Sequence, residues 1–97
     1  MKTLDEVKAT LRKHKAEVVR DYNVKELGIF GSVVRGEQQV RSDIDILVEY
    51  NELPDLLKLI ELERRLQRIL RNKVDLVEKT GLRPELKDSI LGEVVYI

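Results

Sequence analysis

Residues 31–50 read GSVVRGEQQVRSDIDILVEY, and the chain organises around that stretch. Gly31-Ser32 closes the apolar run Leu27-Gly28-Ile29-Phe30. After ten further residues, Asp43 and Asp45 stand two apart at the head of a second apolar run, Ile46-Leu47-Val48. Side chains of a strand alternate between faces, so Asp43 and Asp45 project together while Ile44 and Ile46 point the opposite way. Hard cations such as Mg²⁺ prefer carboxylate oxygens, taking about one or two from protein and others from substrate phosphates. Two such cations, roughly 3.5–4 Å apart, clamp the attacking and leaving oxygens of an in-line displacement. Gly31 lets the backbone approach a phosphate, and Ser32 offers a hydroxyl and an N–H. A helix beginning at Ser32 would add an anion site at its free N–H groups. The stretch points to a nucleoside triphosphate held with divalent metal, and so to phosphoryl-group chemistry.

A third acid lies downstream. Lys73-Val74-Asp75-Leu76-Val77 alternates and is β-branched, the pattern of a short strand in which Asp75 faces away from Val74 and Leu76. Set beside the Asp43/Asp45 strand, Asp75 completes a three-carboxylate site. The role left for it is to bind one metal and to accept the proton of the incoming hydroxyl.

Outward from these strands the punctuation is helical. Thr3-Leu4-Asp5-Glu6 is a capping box, and Leu4, Val7, Leu11, His14 and Val18 recur at helical spacing, predicting a first helix to about Asp21. Lys25–Phe30 reads as a strand, Ser32 to about Gly36 as one helical turn, and Asp43–Tyr50 as the second strand. Pro54 suits the first turn of a long helix with Leu56, Leu59/Ile60, Leu66 and Ile69/Leu70 as its apolar stripe. Lys73–Glu78 is the third strand, and Thr80-Gly81 turns the chain. Pro84 opens a short helix to about Leu91 that Gly92 ends, and Val94–Ile97 is a fourth strand. There are no repeats, linkers or low-complexity tracts. Helices interleaved with strands predict an α/β (α+β) fold. It would be a mixed sheet of about four strands with helices on one face and the three acids on the other.

With these residues in place, the chain resembles the polymerase-beta-type nucleotidyltransferase superfamily. The likeness rests on Gly31-Ser32, the ten-residue spacer, Asp43-x-Asp45, and Asp75 inside Val-Asp-Leu-Val. Neither GS nor DxD is specific alone; the pair at this distance with VDLV is. The short length matches the minimal nucleotidyltransferase (MNT) branch, and the likeness extends from the first helix to Glu93-Val94-Val95-Tyr96. It implies a nucleotidyltransferase fold and a Mg²⁺-dependent enzyme, with two ions, that transfers AMP from ATP. Gly31 and Ser32 would then be nucleotide-binding and Asp43, Asp45 and Asp75 catalytic and metal-binding. It also implies a partner, because many members of this branch resemble the antitoxin of HEPN/MNT toxin–antitoxin pairs. There the MNT protein adenylylates a tyrosine of the HEPN toxin, a ribonuclease.

Bulk properties bound these readings. Ninety-seven residues predict one domain, 1–97, with one modest core. The absence of Cys excludes disulfide and thiol chemistry. No stretch has the apolar core of a signal peptide or the length of a membrane span, so a cytoplasmic protein is expected. Lys+Arg and Asp+Glu balance at 18 each, so stable nucleic-acid binding by the chain alone is not expected. A chain this small has no separate acceptor-binding domain, so the acceptor is expected to dock from a partner protein as a hetero-oligomer. Two rival readings remain. One is an antitoxin that works by binding alone, and the other is the catalytic subunit of a two-chain transferase acting on a small molecule. Arg35 and Arg41 flank the site, as phosphate contacts or as solvated charges. His14 reads as a packed or boundary residue. Tyr22, Tyr50 and Tyr96 read as packed or surface residues, or as acceptors in self-modification.

Overall fold

The computed structural model describes residues 2–97. Helix α1 runs Leu4–Tyr22. Thr3 caps it, its hydroxyl oxygen accepting the Glu6 N–H at 3.3 Å while the hydroxyl donates to Glu6 Oε1 at 3.2 Å. Asn23, at φ 56°, ends it in the left-handed conformation. Strand β1 is Val24–Phe30, and α2 is the single turn Ser32–Arg35. Strand β2 is Ile44–Tyr50, and α3 is Leu56–Leu70. Strand β3, Val74–Glu78, leads through a 3₁₀ turn at Lys79–Gly81 into α4, Pro84–Glu93, and the short β4, Val95–Tyr96.

The sheet order is β3-β2-β1-β4. Neighbours β1 and β2 run antiparallel, as do β1 and β4, whereas β2 and β3 are parallel. A parallel pair needs a long crossover, and α3 supplies it. One face of the sheet is closed by Val7, Leu11 and Val18 of α1 and by Leu62, Leu66 and Leu70 of α3. These pack on Val24, Leu27, Ile29, Ile44, Ile46, Val48 and Val74. The period of two along β2 is thus realised: Ile44, Ile46 and Val48 are buried inward and Asp45 lies on the opposite face.

Several boundaries differ from the sequence reading, each for a local reason. Pro54 precedes α3 instead of opening it, because Asp55 takes the N-cap and its Oδ1 accepts the Lys58 N–H at 2.9 Å. Leu56, expected in the apolar stripe, is 70% exposed, and Leu62, six residues further along the helix, is buried. Gly92 lies inside α4; it does not adopt the positive φ that a terminating glycine uses. His14 is a boundary residue, its Nδ1 2.6 Å from Glu17 Oε1.

The acid-bearing face is not bare. Gly28, opposite Tyr96 in the register, leaves room for the C-terminal segment: a Cβ there would lie 2.6 Å from Val94 Cγ2. Phe30 and Leu47 are buried on this face, separate from the main core. Among the described residues no helix is long and apolar enough to cross a membrane.

Candidate active site

Parallel pairing of β2 and β3 puts Asp45 opposite Asp75 in the register, as Ile44 is opposite Val74. Asp43 lies just before β2, where the ladder continues through the Ile44 N–H to the Lys73 carbonyl at 2.9 Å. Across the other edge of β2, Phe30 is the partner of Asp45, so the chain leaving β1 turns directly above that carboxylate. The turn is Gly31. Its φ of 79° and ψ of −153° are a conformation essentially reserved to glycine. A Cβ there would fall 2.0 Å from Asp45 Oδ2. Glycine is required both for the backbone angle and for the approach to the acid.

The five residues singled out in the sequence therefore share one end of one sheet face. Gly31, not Ser32, takes the N-cap position of α2, and Ser32 is the first helical residue. With α2 only one turn long, any anion held there depends on individual N–H and hydroxyl groups more than on a helix dipole.

Electrostatically the site is short of positive charge. Burial pushes the Asp45 carboxyl up to about 6, and the charges of Asp75 and Asp43 push it the same way; Arg35 opposes them and Glu93 adds to them. Among the described residues no Lys or Arg forms an ion pair with Asp43, Asp45 or Asp75. Nor do three His, Cys, Asp or Glu side chains there converge closely enough to cage a cation unaided. Oxygen donors only, an uncompensated acid pair and a glycine-lined approach fit a hard divalent ion whose coordination is completed by phosphate oxygens.

One contributor was not singled out from the sequence. Glu93, the last residue of α4, accepts the Gly31 N–H at 2.9 Å through Oε1. Arg35 Nη1 donates to both oxygens of Glu93, at 3.1 and 2.9 Å, and Arg35 Nε donates to Glu37 at 3.0 Å. Arg35 is therefore tied to carboxylates of the protein itself and is not a purely solvated charge. No spacing rule connects Glu93 with Gly31, since 62 residues separate them. Arg41 is exposed in the turn before β2. Tyr50 is buried at 9% exposure, its hydroxyl has no hydrogen-bond partner among the described residues, and burial pushes its pKa up to about 12. A phenol so placed is a core residue and not a nucleotide acceptor. Tyr22 lies under Lys58 and Arg65, and Tyr96 under Lys79.

The family model described as a nucleotidyltransferase domain matches residues 11–97. The chain belongs to that nucleotidyltransferase family. Among curated relatives of this nucleotidyltransferase is the protein adenylyltransferase MntA of Thermococcus cleftensis, 47% identical over 97 residues, covering 100% of this chain and 98% of that one. Among solved structures, a candidate minimal nucleotidyltransferase superposes with a TM-score of 0.73 at 34% identity, covering 90% of this chain and 92% of the other. A toxin–antitoxin structure with AMP-PNP contains a chain matching at TM-score 0.72 and 27% identity, with 87% of this nucleotidyltransferase and 69% of that chain covered. The mixed four-stranded sheet expected from the sequence is thus the architecture of minimal nucleotidyltransferases.

Proposed function

We propose that this protein is the adenylyltransferase antitoxin of a two-protein system, moving AMP from ATP onto a hydroxyl, a tyrosine, of a HEPN-domain toxin in the cytoplasm. The two proteins would form a hetero-oligomer at least while AMP is transferred. The observation carrying the reading is the uncompensated Asp45–Asp75 pair, with Asp45 directly beneath the glycine-only turn at Gly31. Support for the partner comes from a relative named for protein adenylylation and from the toxin–antitoxin setting of a structural neighbour with an ATP analogue.

In this reading Gly31 and Ser32 hold the β- and γ-phosphates, Gly31 by letting them approach the backbone and Ser32 by its hydroxyl and N–H. Asp43, Asp45 and Asp75 are the residues that would hold Mg²⁺ together with those phosphates. When bound, the metal supplies charge neutralisation at the triphosphate and at the departing pyrophosphate. Asp75, exposed at the outer strand, accepts the proton of the acceptor hydroxyl as its oxygen attacks the α-phosphorus. The bond to the α–β bridging oxygen breaks, and pyrophosphate leaves. Half-buried Asp45, raised to about 6 by burial and by its two neighbouring carboxylates, would gain most from a bound cation, which offsets that repulsion and favours its ionised form.

The test is incubation with labelled ATP, Mg²⁺ and the product of the neighbouring gene, followed by mass spectrometry of both chains. The expected result is added AMP mass on the partner, at a tyrosine. Partner inhibition without added mass would make the chain a steric antitoxin, and label only on a small molecule would make it half of a two-chain transferase.

A further inference from the structure

We propose that Glu93 is a positioning residue for nucleotide binding: its carboxylate holds the Gly31 peptide and the Arg35 guanidinium in the arrangement a triphosphate requires. The inference rests on the transferase reading for its ligand, while its geometry stands independently. Gly31, lacking a Cβ, can take many backbone angles, so the orientation of its peptide is fixed by its hydrogen-bond partners. Its carbonyl is held by the N–H groups of Val34 at 3.1 Å and Arg35 at 3.3 Å. Its N–H is held, among the described residues, by Glu93 Oε1 alone, at 2.9 Å. Gly31 is buried, so without Glu93 that N–H loses its partner where water replaces it poorly.

The same carboxylate orients Arg35. With Nε on Glu37 and Nη1 on both oxygens of Glu93, the guanidinium plane is set. Its Nη2 has no protein partner among the described residues, and guanidinium N–H groups favour phosphate oxygens. Arg35 is near enough to Asp45 to lower its pKa, yet it makes no ion pair there. By engaging Arg35, Glu93 keeps that guanidinium off Asp45 and leaves the acid for metal. No residue of α4 is buried and β4 contributes two residues to the sheet, so the Glu93 contacts are a principal tie between the C-terminal segment and the site.

The experiment compares wild type, Glu93→Ala and Glu93→Gln. Amide ¹⁵N spectra and hydrogen exchange of the nucleotide-free proteins read the Gly31 N–H, and calorimetry with AMP-PNP and Mg²⁺ reads affinity. Glu93→Ala is expected to shift the Gly31 amide and remove its exchange protection. AMP-PNP binding should weaken about tenfold or more, the scale of one charge-assisted hydrogen bond. Glu93→Gln keeps an oxygen acceptor and should restore the amide protection and most of the affinity. In AMP transfer the loss should fall on KM for ATP more than on kcat. Arg35→Ala combined with Glu93→Ala should cost less than the two single losses added together. An unchanged Gly31 amide in folded Glu93→Ala, or AMP-PNP binding equal to or tighter than wild type, overturns the proposal. If Glu93→Ala does not fold, Glu93→Asp, with its carboxylate one methylene short of Gly31, carries the same test. A wild-type protein that binds AMP-PNP but transfers no AMP refutes the transferase reading and leaves the Glu93 result to be judged by amide and affinity.

Discussion

Two acid pairs lie on one face of the sheet, and the protein treats them differently. Toward the far end of β1 and β2, Glu26 is opposite Glu49, and Lys79 sits between them with Nζ 3.8 and 3.7 Å from their carboxylates. At the other end Asp45 is opposite Asp75, with Asp43 alongside, and no Lys or Arg among the described residues pairs with them. The nearest guanidinium, Arg35, is engaged by Glu37 and Glu93. Like charges directly opposite in a sheet are destabilising. The Glu pair is neutralised by the chain itself; the Asp pair is not, and its Asp45 lies beneath the glycine-only turn. Under the proposed function, that difference separates a structural charge cluster from one that would take an external cation.

The largest expected contrast is in chemistry. Asp43→Ala, Asp45→Ala and Asp75→Ala should each reduce AMP transfer by about 10³-fold or more, several kcal/mol of lost charge stabilisation. Each variant should remain folded, and a double variant should cost little beyond a single one because the groups act as a unit. Transfer assays with Asp43→Ala/Asp45→Ala at wild-type rate would erase the distinction between the two pairs.

Next comes the cradle above the Asp pair. Gly31→Val places a branched side chain at φ 79° and drives its Cβ against Asp45 Oδ2. Strain and overpacking should cost on the order of 2–4 kcal/mol of stability, and AMP-PNP binding should vanish at concentrations that saturate wild type. Ser32→Ala should weaken nucleotide binding much less, since it deletes one hydroxyl and keeps the N–H groups. Calorimetry on both variants ranks them.

A smaller effect is the repulsion itself. Asp45→Asn should raise the melting temperature in EDTA, by about 1 kcal/mol or roughly 4–8 °C for a domain of this size. It should also lose the further gain that Mg²⁺-ATP gives wild type. The sign of the pH dependence follows from the raised pKa of Asp45, about 6 in the fold against 3.8 for an unperturbed aspartate carboxyl. The folded state binds this proton more readily than the unfolded one, so acidification from pH 7 toward 5 stabilises the metal-free protein through this group. The gain is complete below the unfolded value and is lost as pH rises through 6. Protons also compete with the cation, so stabilisation by Mg²⁺-ATP should shrink below about pH 6. Melts of wild type and Asp45→Asn across pH 5–8 in EDTA check both signs, and the variant should lack this contribution.

The smallest expected effect lies at the compensated end. Lys79→Met leaves Glu26 and Glu49 facing each other and should cost at most about 1 kcal/mol, less in high salt, with AMP transfer unchanged. A large loss of transfer in that variant would mean the two pairs are one electrostatic unit.

Much of this protein is determined locally. Helical spacing gives α1 its buried Val7, Leu11 and Val18, and strand alternation sends Ile44 and Ile46 one way and Asp45 the other. These follow from backbone periods of about 3.6 and 2, which any stretch of chain expresses by itself. Alternation makes Asp43 and Asp45 legible as a pair, and the ten-residue spacing to Gly31-Ser32 joins the two through the motif that carries the resemblance. Leu56 keeps the helical period yet is exposed, because period specifies a helical face but not how far the sheet beneath it reaches; Leu62, four residues before Leu66, follows the same period and is buried. Tertiary structure alone decided which residues from distant segments meet. Asp75 stands opposite Asp45 because α3 carries β3 back parallel to β2 in one register, and a slip of one residue would turn it inward. Glu93 reaches Gly31 across 62 residues because β4 pairs with β1 and brings the end of α4 over the acid face. Tyr50 loses its hydroxyl to the core for the same kind of reason. Pairing and burial are long-range choices, made by the hydrophobic energy of the whole sheet and not by any residue's neighbours in sequence.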